Sequence, residues 1–134
     1  MPYTEEQRSF LTDRVWAVLA TSKRDGSPQQ SMVGYVVDDE GRLVISVKAY
    51  TAKWNNAVRQ PNVSLTVADD RVHLVIYGRA ETIDADPLRA ELTADVFARL
   101  SGQDRPDPAS LVETLDEQQR TVLRIRPDKV LFHE

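Results

Sequence analysis

Ser46–Pro61 reads SVKAYTAKWNNAVRQP, a β-branched run that passes within a few residues into a short helical segment closed by Pro61. Proline ends the helix because it cannot continue one. Thr51 is a good N-cap residue, its hydroxyl placed to accept from an N–H of the first turn, and Lys53 falls in that turn. Backbone N–H groups, the positive end of the helix dipole and an ammonium then converge on a phosphate-sized volume, although a lysine stabilises the opposite end of a helix more. A merely solvated cap is the other reading of the same residues.

Upstream of this junction, Thr4-Glu5-Glu6-Gln7 is a capping box that opens a short helix carrying Phe10 and Leu11. Val15–Thr21 reads as a buried strand, Arg24-Asp25-Gly26-Ser27 as a hairpin turn, and Pro28–Val37 as the returning strand. That strand is mixed: Gln29, Gln30 and Ser31 precede Met32 and Val33, which fits either a solvated edge or a surface on which a flat polar ligand lies. After the turn Asp38-Asp39-Glu40-Gly41, Leu43–Val47 completes an expected three-stranded meander. Downstream, Asn62–Ala68 and Val72–Thr82 are two more strands joined by Asp69-Asp70-Arg71, and Gly78 marks a bulge or bend. A helix from Asp84–Pro87 to about Leu100 is expected to bury Leu88, Leu92, Val96, Phe97 and Leu100 and to cover an open end of the sheet. Ser101–Pro108 has linker chemistry and is expected to be mobile. A helix at Ala109–Gln119 and strands at Thr121–Ile125 and Asp128–Phe132 close the chain.

Composition narrows what such a chain can do. Its 134 residues, 41% of them hydrophobic, suit one domain over 1–134 with a thin core. No long apolar run and no secretory signal is visible, so a cytoplasmic protein with no membrane span is expected. The absence of cysteine excludes disulfides, thiolate nucleophiles and iron–sulfur clusters, and two histidines far apart in sequence, His73 and His133, argue against an imidazole metal centre. A formal charge of −4 argues against a nucleic-acid grip. The acidic pairs Glu5-Glu6, Asp38-Asp39 and Asp69-Asp70 sit in a cap and two turns, and no Ser/His/Asp signature or Gly-x-Gly-x-x-Gly loop appears. The element order predicts a mainly β chain with short helices, a six- to seven-stranded antiparallel Greek-key barrel.

Several pieces together resemble the pyridoxamine-5'-phosphate-oxidase-like split β-barrel family, which is FMN-binding-like in fold, and within it the subgroup using the deazaflavin F420. They are Val18-Leu19-Ala20-Thr21 with Asp25-Gly26-Ser27-Pro28, Leu43–Ser46, Lys53 eight residues before Pro61 with Asn62-Val63-Ser64-Leu65 after it, Gly78-Arg79-Ala80-Glu81, and Arg124-Ile125-Arg126-Pro127-Asp128-Lys129-Val130. The resemblance implies that Gln30, Ser31, Met32 and Val33 line the ring of a flavin or deazaflavin, largely through backbone groups. It implies further that Ser46 and Val47 lie beside the ribityl-like chain, that Lys53 binds phosphate, and that His73 reaches into the site of a neighbouring subunit of a homodimer. Related sequences carry an arginine two residues before the lysine or immediately before it, where this chain has Thr51 and Ala52. A hydroxyl brings no charge to a phosphate, whereas a guanidinium binds it bidentately. Trp54 either packs on the cofactor or anchors the helix to the barrel.

The chemistry so implied is hydride transfer by an F420-dependent oxidoreductase acting on a small unsaturated or quinone-like molecule, which needs no metal and no nucleophile. An FMN-binding oxidase or electron carrier, and a non-catalytic barrel without cofactor, are the alternatives. The catalytic residue is left open: His73 is the best protic candidate, and Tyr35 and Tyr77 suit packing better than proton donation.

Overall fold

A computed structural model describes residues 3–133. The elements are α1 (Glu5–Thr12), β1 (Trp16–Ser22), β2 (Pro28–Gly34), β3 (Val36–Val37), β4 (Leu43–Lys48), α2 (Ala52–Arg59), β5 (Asn62–Asp69), β6 (Val72–Ile83), α3 (Leu88–Ser101), α4 (Pro108–Glu117) and β7 (Arg120–His133). Local chemistry sets their limits. Thr4 and Gln7 form the reciprocal capping box that opens α1. In the first hairpin the Asp25 carboxylate accepts from both the N–H and the hydroxyl of Ser27, and Gly26 takes the left-handed φ of 87° that the turn requires. Asp38 likewise accepts from the N–H groups of Glu40 and Arg42, so the acidic pair there is turn chemistry, as the sequence indicates.

All strand pairs are antiparallel, and the sheet runs β2-β1-β5-β6-β7-β4-β3. Its two ends, β2 and β3, are separated in sequence by Tyr35 alone. The sheet is therefore closed on itself by one segment whose first half pairs with β1 and whose last two residues pair with β4. This is a split β-barrel. The three-stranded meander expected from sequence is corrected here: the ladder to β1 ends where the Tyr35 N–H bonds to the Val15 carbonyl, and pairing to β4 begins only at Val36. The Tyr35 side chain turns inward and donates to the Leu11 carbonyl at 2.6 Å, drawing the strand across the barrel end. Extrapolating the Val36–Val44 register sets Gly34 opposite Ser46 and Met32 opposite Lys48, where no ladder is formed and the wall is open.

Inside the barrel Leu19, Ile45, Leu65, Leu74, Ile76, Leu123 and Ile125 form the main core. Their alternates Val44, Ile83 and Val122 face outward and pack with Val96 of α3. The expected stripe on that helix holds for Val96, which is buried, and for Leu92, which packs against the same cluster; its outer members and its location are corrected. α3 buries Arg89, Ala90, Thr93, Ala94 and Val96, while Leu88 and Leu100 stay partly exposed, and the helix lies on the outer wall instead of covering an end. The segment after it is tied back by Arg105, which bonds the Asp95 carboxylate at 2.6 Å and the Glu91 carbonyl.

The two closing strands expected from sequence are one continuous strand. Pro127 is tolerated within it because the ladder shifts register between Tyr77 and Gly78, leaving Asp128 as the extra residue of a bulge. Gly78 is required there: a Cβ at this position would lie 2.5 Å from the Arg126 carbonyl oxygen.

Candidate functional site

At the β4–α2 junction the Thr51 N–H and hydroxyl both donate to the Lys48 carbonyl, at 3.0 and 2.6 Å. Thr51 is the N-cap, but its hydroxyl does not cap α2, contrary to the sequence expectation; the tight turn back to Lys48 claims it. The first turn of α2 consequently has no side-chain acceptor on its N–H groups and no acidic residue. Lys53 is half-buried and forms no ion pair among the described residues. Open amides, a helix N-terminus and a lysine without a carboxylate are a ready anion site.

The other face of α2 fixes this geometry. Trp54 is 8% exposed and packs into the barrel core, so of the two roles weighed for it the anchor is realised. Buried Asn56 donates to the Thr21 hydroxyl, Thr21 donates to Gln29, and Gln29 donates to the Ser31 hydroxyl, a polar chain running from the helix to β2. Arg59 adds a bond to the Ser22 carbonyl.

The residues expected to line a cofactor divide by strand alternation. Gln30 and Met32, the latter 65% exposed, lie on the outer face of β2, whereas Val33 is buried in the barrel core and Ser31 shares its side with Gln29. Ser46 faces outward beside the opening between β2 and β4; Val47, 2% exposed, points into the core and leaves only backbone to an outer ligand. Leu100 covers Gly34, where a Cβ would meet its methyl carbons at 2.6 and 2.8 Å.

One residue that the sequence did not single out belongs to this neighbourhood. Arg120 pairs across the ladder with Lys48, and its Nη1 donates to the Ser46 hydroxyl at 3.2 Å. Its guanidinium also bonds Gln118 and lies 5.7 Å from the Phe97 ring centre. The backbone here is held by buried Arg89, which donates to the Arg120 carbonyl and to Asp86 and Asp116; this guanidinium holds the Asp86 carboxyl below the usual carboxylate range. An arginine 67 residues beyond Lys53 is brought here by barrel register alone.

His73 is not brought to the junction within one chain. It lies near the start of β6, whereas the segment leaving α2 meets that strand at Ala80, whose N–H bonds to the Pro61 carbonyl. At roughly 3.3 Å per residue the two points are roughly 23 Å apart along the strand. Although far apart in sequence, His73 and His133 are cross-strand partners with rings stacked at 4.9 Å, so sequence distance does not separate them in space. Two imidazoles are half of a tetrahedral zinc set, and among the described residues no group of three or more potential metal ligands converges. Tyr35 is a packing residue, its phenol pushed up by burial and its proton given to Leu11, while Tyr77 is 48% exposed on the outer face.

The fold is thus an antiparallel barrel split beside a strand-to-helix junction, where α2 has no side-chain cap and Lys53 forms no ion pair among the described residues. The chain belongs to the pyridoxamine 5'-phosphate oxidase family, whose profile matches residues 3–134. Among solved structures it is similar to the conserved protein Rv2991 of Mycobacterium tuberculosis, with a TM-score of 0.80 and 24% identity over 98% of this chain and 85% of that one. It is also similar to an F420 reductase, with a TM-score of 0.74 and 24% identity over 96% of this chain and 98% of the other. The heme storage protein HutZ of Vibrio cholerae matches with a TM-score of 0.72 and 21% identity over 99% and 96% of the two chains. At these identities the likeness is one of fold. No curated protein matches the chain. No helix among the described residues is long and apolar enough to cross a membrane.

Proposed function

We propose that the protein is an oxidoreductase that holds the deazaflavin F420 at the β4–α2 junction and acts on a small unsaturated or quinone-like molecule. The observation that carries this reading is the open N-terminus of α2, with Lys53 free of any carboxylate among the described residues. Lys53 and the first-turn amides hold the phosphate, and the Ser46 hydroxyl meets the chain between phosphate and ring. The edge of β2 that the split leaves without a partner strand offers backbone groups to the ring around Gln30 and Met32. The bound cofactor supplies the hydride chemistry, and the protein supplies position and shelter from water. The similarity to an F420 reductase supports the same reading.

Fluorescence titration with F420 and FMN tests it. F420 is expected to bind more tightly, a preference supported by the resemblance to the F420-using subgroup and by the similarity to an F420 reductase. Tighter FMN binding overturns F420 in favour of an FMN-dependent protein, and binding of neither points to a barrel that works without either cofactor.

The outer face also carries Trp16, 57% exposed, with Met32 and Tyr77. These side chains suit burial against a second copy, and a C2 homodimer with shared sites brings each His73 toward the partner's ligand. Light scattering at micromolar concentration is expected to give twice the chain mass. A monomer contradicts the shared site.

A further inference from the structure

The family pattern asks for a guanidinium beside the phosphate lysine, and this chain has Thr51 and Ala52 at both places. We propose that Arg120, delivered from β7, is the missing guanidinium and binds the phosphate of the ligand together with Lys53. This inference rests on the reading of the junction as a cofactor site. It starts from placement. Arg120 and Lys48 are directly opposed on the outer wall, and the Lys48 carbonyl is the atom on which the turn into α2 closes, so the helix starts within one turn of this pair.

Charge adds to placement. Lys48, Lys53 and Arg120 form no ion pair among the described residues, a local positive cluster in a chain whose formal net charge is −4. Of the other strand arginines, Arg124 pairs with Glu81 and Arg126 with Asp128, while Arg79 bonds only Asn62. Like charges in adjacent ladder positions are destabilising unless an anion bridges them. Finally, the guanidinium is oriented but not saturated. Nε is held by Gln118 at 2.7 Å and Nη1 by Ser46 at 3.2 Å, with Phe97 below, which leaves most of its five N–H donors free. Ser46, the residue expected beside the cofactor chain, is the one Arg120 touches. A fork preorganised in this way matches phosphate geometry better than a flexible ammonium does.

The test compares F420 with its phosphate-free deazaflavin alcohol in titrations of the wild type, Arg120→Ala, Arg120→Lys and Lys53→Ala. Arg120→Ala is expected to weaken F420 roughly tenfold, the lower range for a charge-assisted hydrogen bond, and to leave the alcohol unchanged. Arg120→Lys is expected to recover part of the loss, since it restores charge without the fork. Equal weakening of both ligands would assign Arg120 a purely structural role and overturn the inference. So would unchanged F420 affinity in Arg120→Ala while Lys53→Ala loses it, an outcome that leaves the junction reading intact. A wild type that binds neither F420 nor FMN removes both.

Discussion

Replacing Trp54 with alanine is expected to destabilise the protein by about 3–5 kcal/mol, the range for deleting a large buried aromatic side chain. Trp54 is 8% exposed and sits in the barrel core, and it belongs to the eight-residue helix that closes one barrel end. So short a helix has no independent stability in water, and its order comes from the face it buries. Removing the indole leaves Ala57, the Asn56–Thr21 bond and the Arg59–Ser22 bond to hold α2. Cofactor affinity is expected to fall with stability. Trp54→Phe keeps most of the volume and is expected to cost less than about 1.5 kcal/mol. Urea unfolding gives both values, and fluorescence separates the two tryptophans, because Trp16 is exposed and Trp54 is not. A loss under about 1 kcal/mol for Trp54→Ala would show that α2 is held by its polar bonds alone.

The barrel was legible in the sequence wherever a local pattern reports a local cause. Asp25-Gly26 gives the first hairpin, Thr4 and Gln7 give the capping box, and Gly78 marks the bulge. What escaped was set by partners distant in sequence. Nothing in Pro28–Val37 says that the strand changes neighbours at Tyr35, because the cause is a hydroxyl reaching Leu11. Pro127 reads as a strand break until Gly78 is placed opposite it. On α3 Leu88 and Leu100 are as conspicuous as Val96, yet they stay exposed while Ala90, Thr93 and Ala94 are buried. At the candidate site Lys53 could be read from the strand-to-helix pattern, and Ser46 only from the family resemblance. Arg120 could not, since only the β4–β7 register sets it beside Lys48. The Thr51 hydroxyl was assigned to the helix, but the turn uses it first.

That diversion of Thr51 bears on the second large effect. With the amides of the first turn uncapped, Lys53 is the one side chain on α2 able to bring a positive charge to an anion at its N-terminus. Arg59, the other cation of the helix, is in the last turn and bonds Ser22. Removing a charge-assisted phosphate contact costs about 1.5–3 kcal/mol of binding. Lys53 is outside the core cluster, so Lys53→Ala is expected to leave folding near that of the wild type. The direct test of the junction as a phosphate clamp is therefore the titration of wild type and Lys53→Ala with F420 under identical salt. Affinity lower by about 10- to 100-fold in the variant, with unchanged unfolding, is the expected result. Equal affinity in the two proteins would contradict it and leave Ser46–Pro61 as no more than a solvated helix cap.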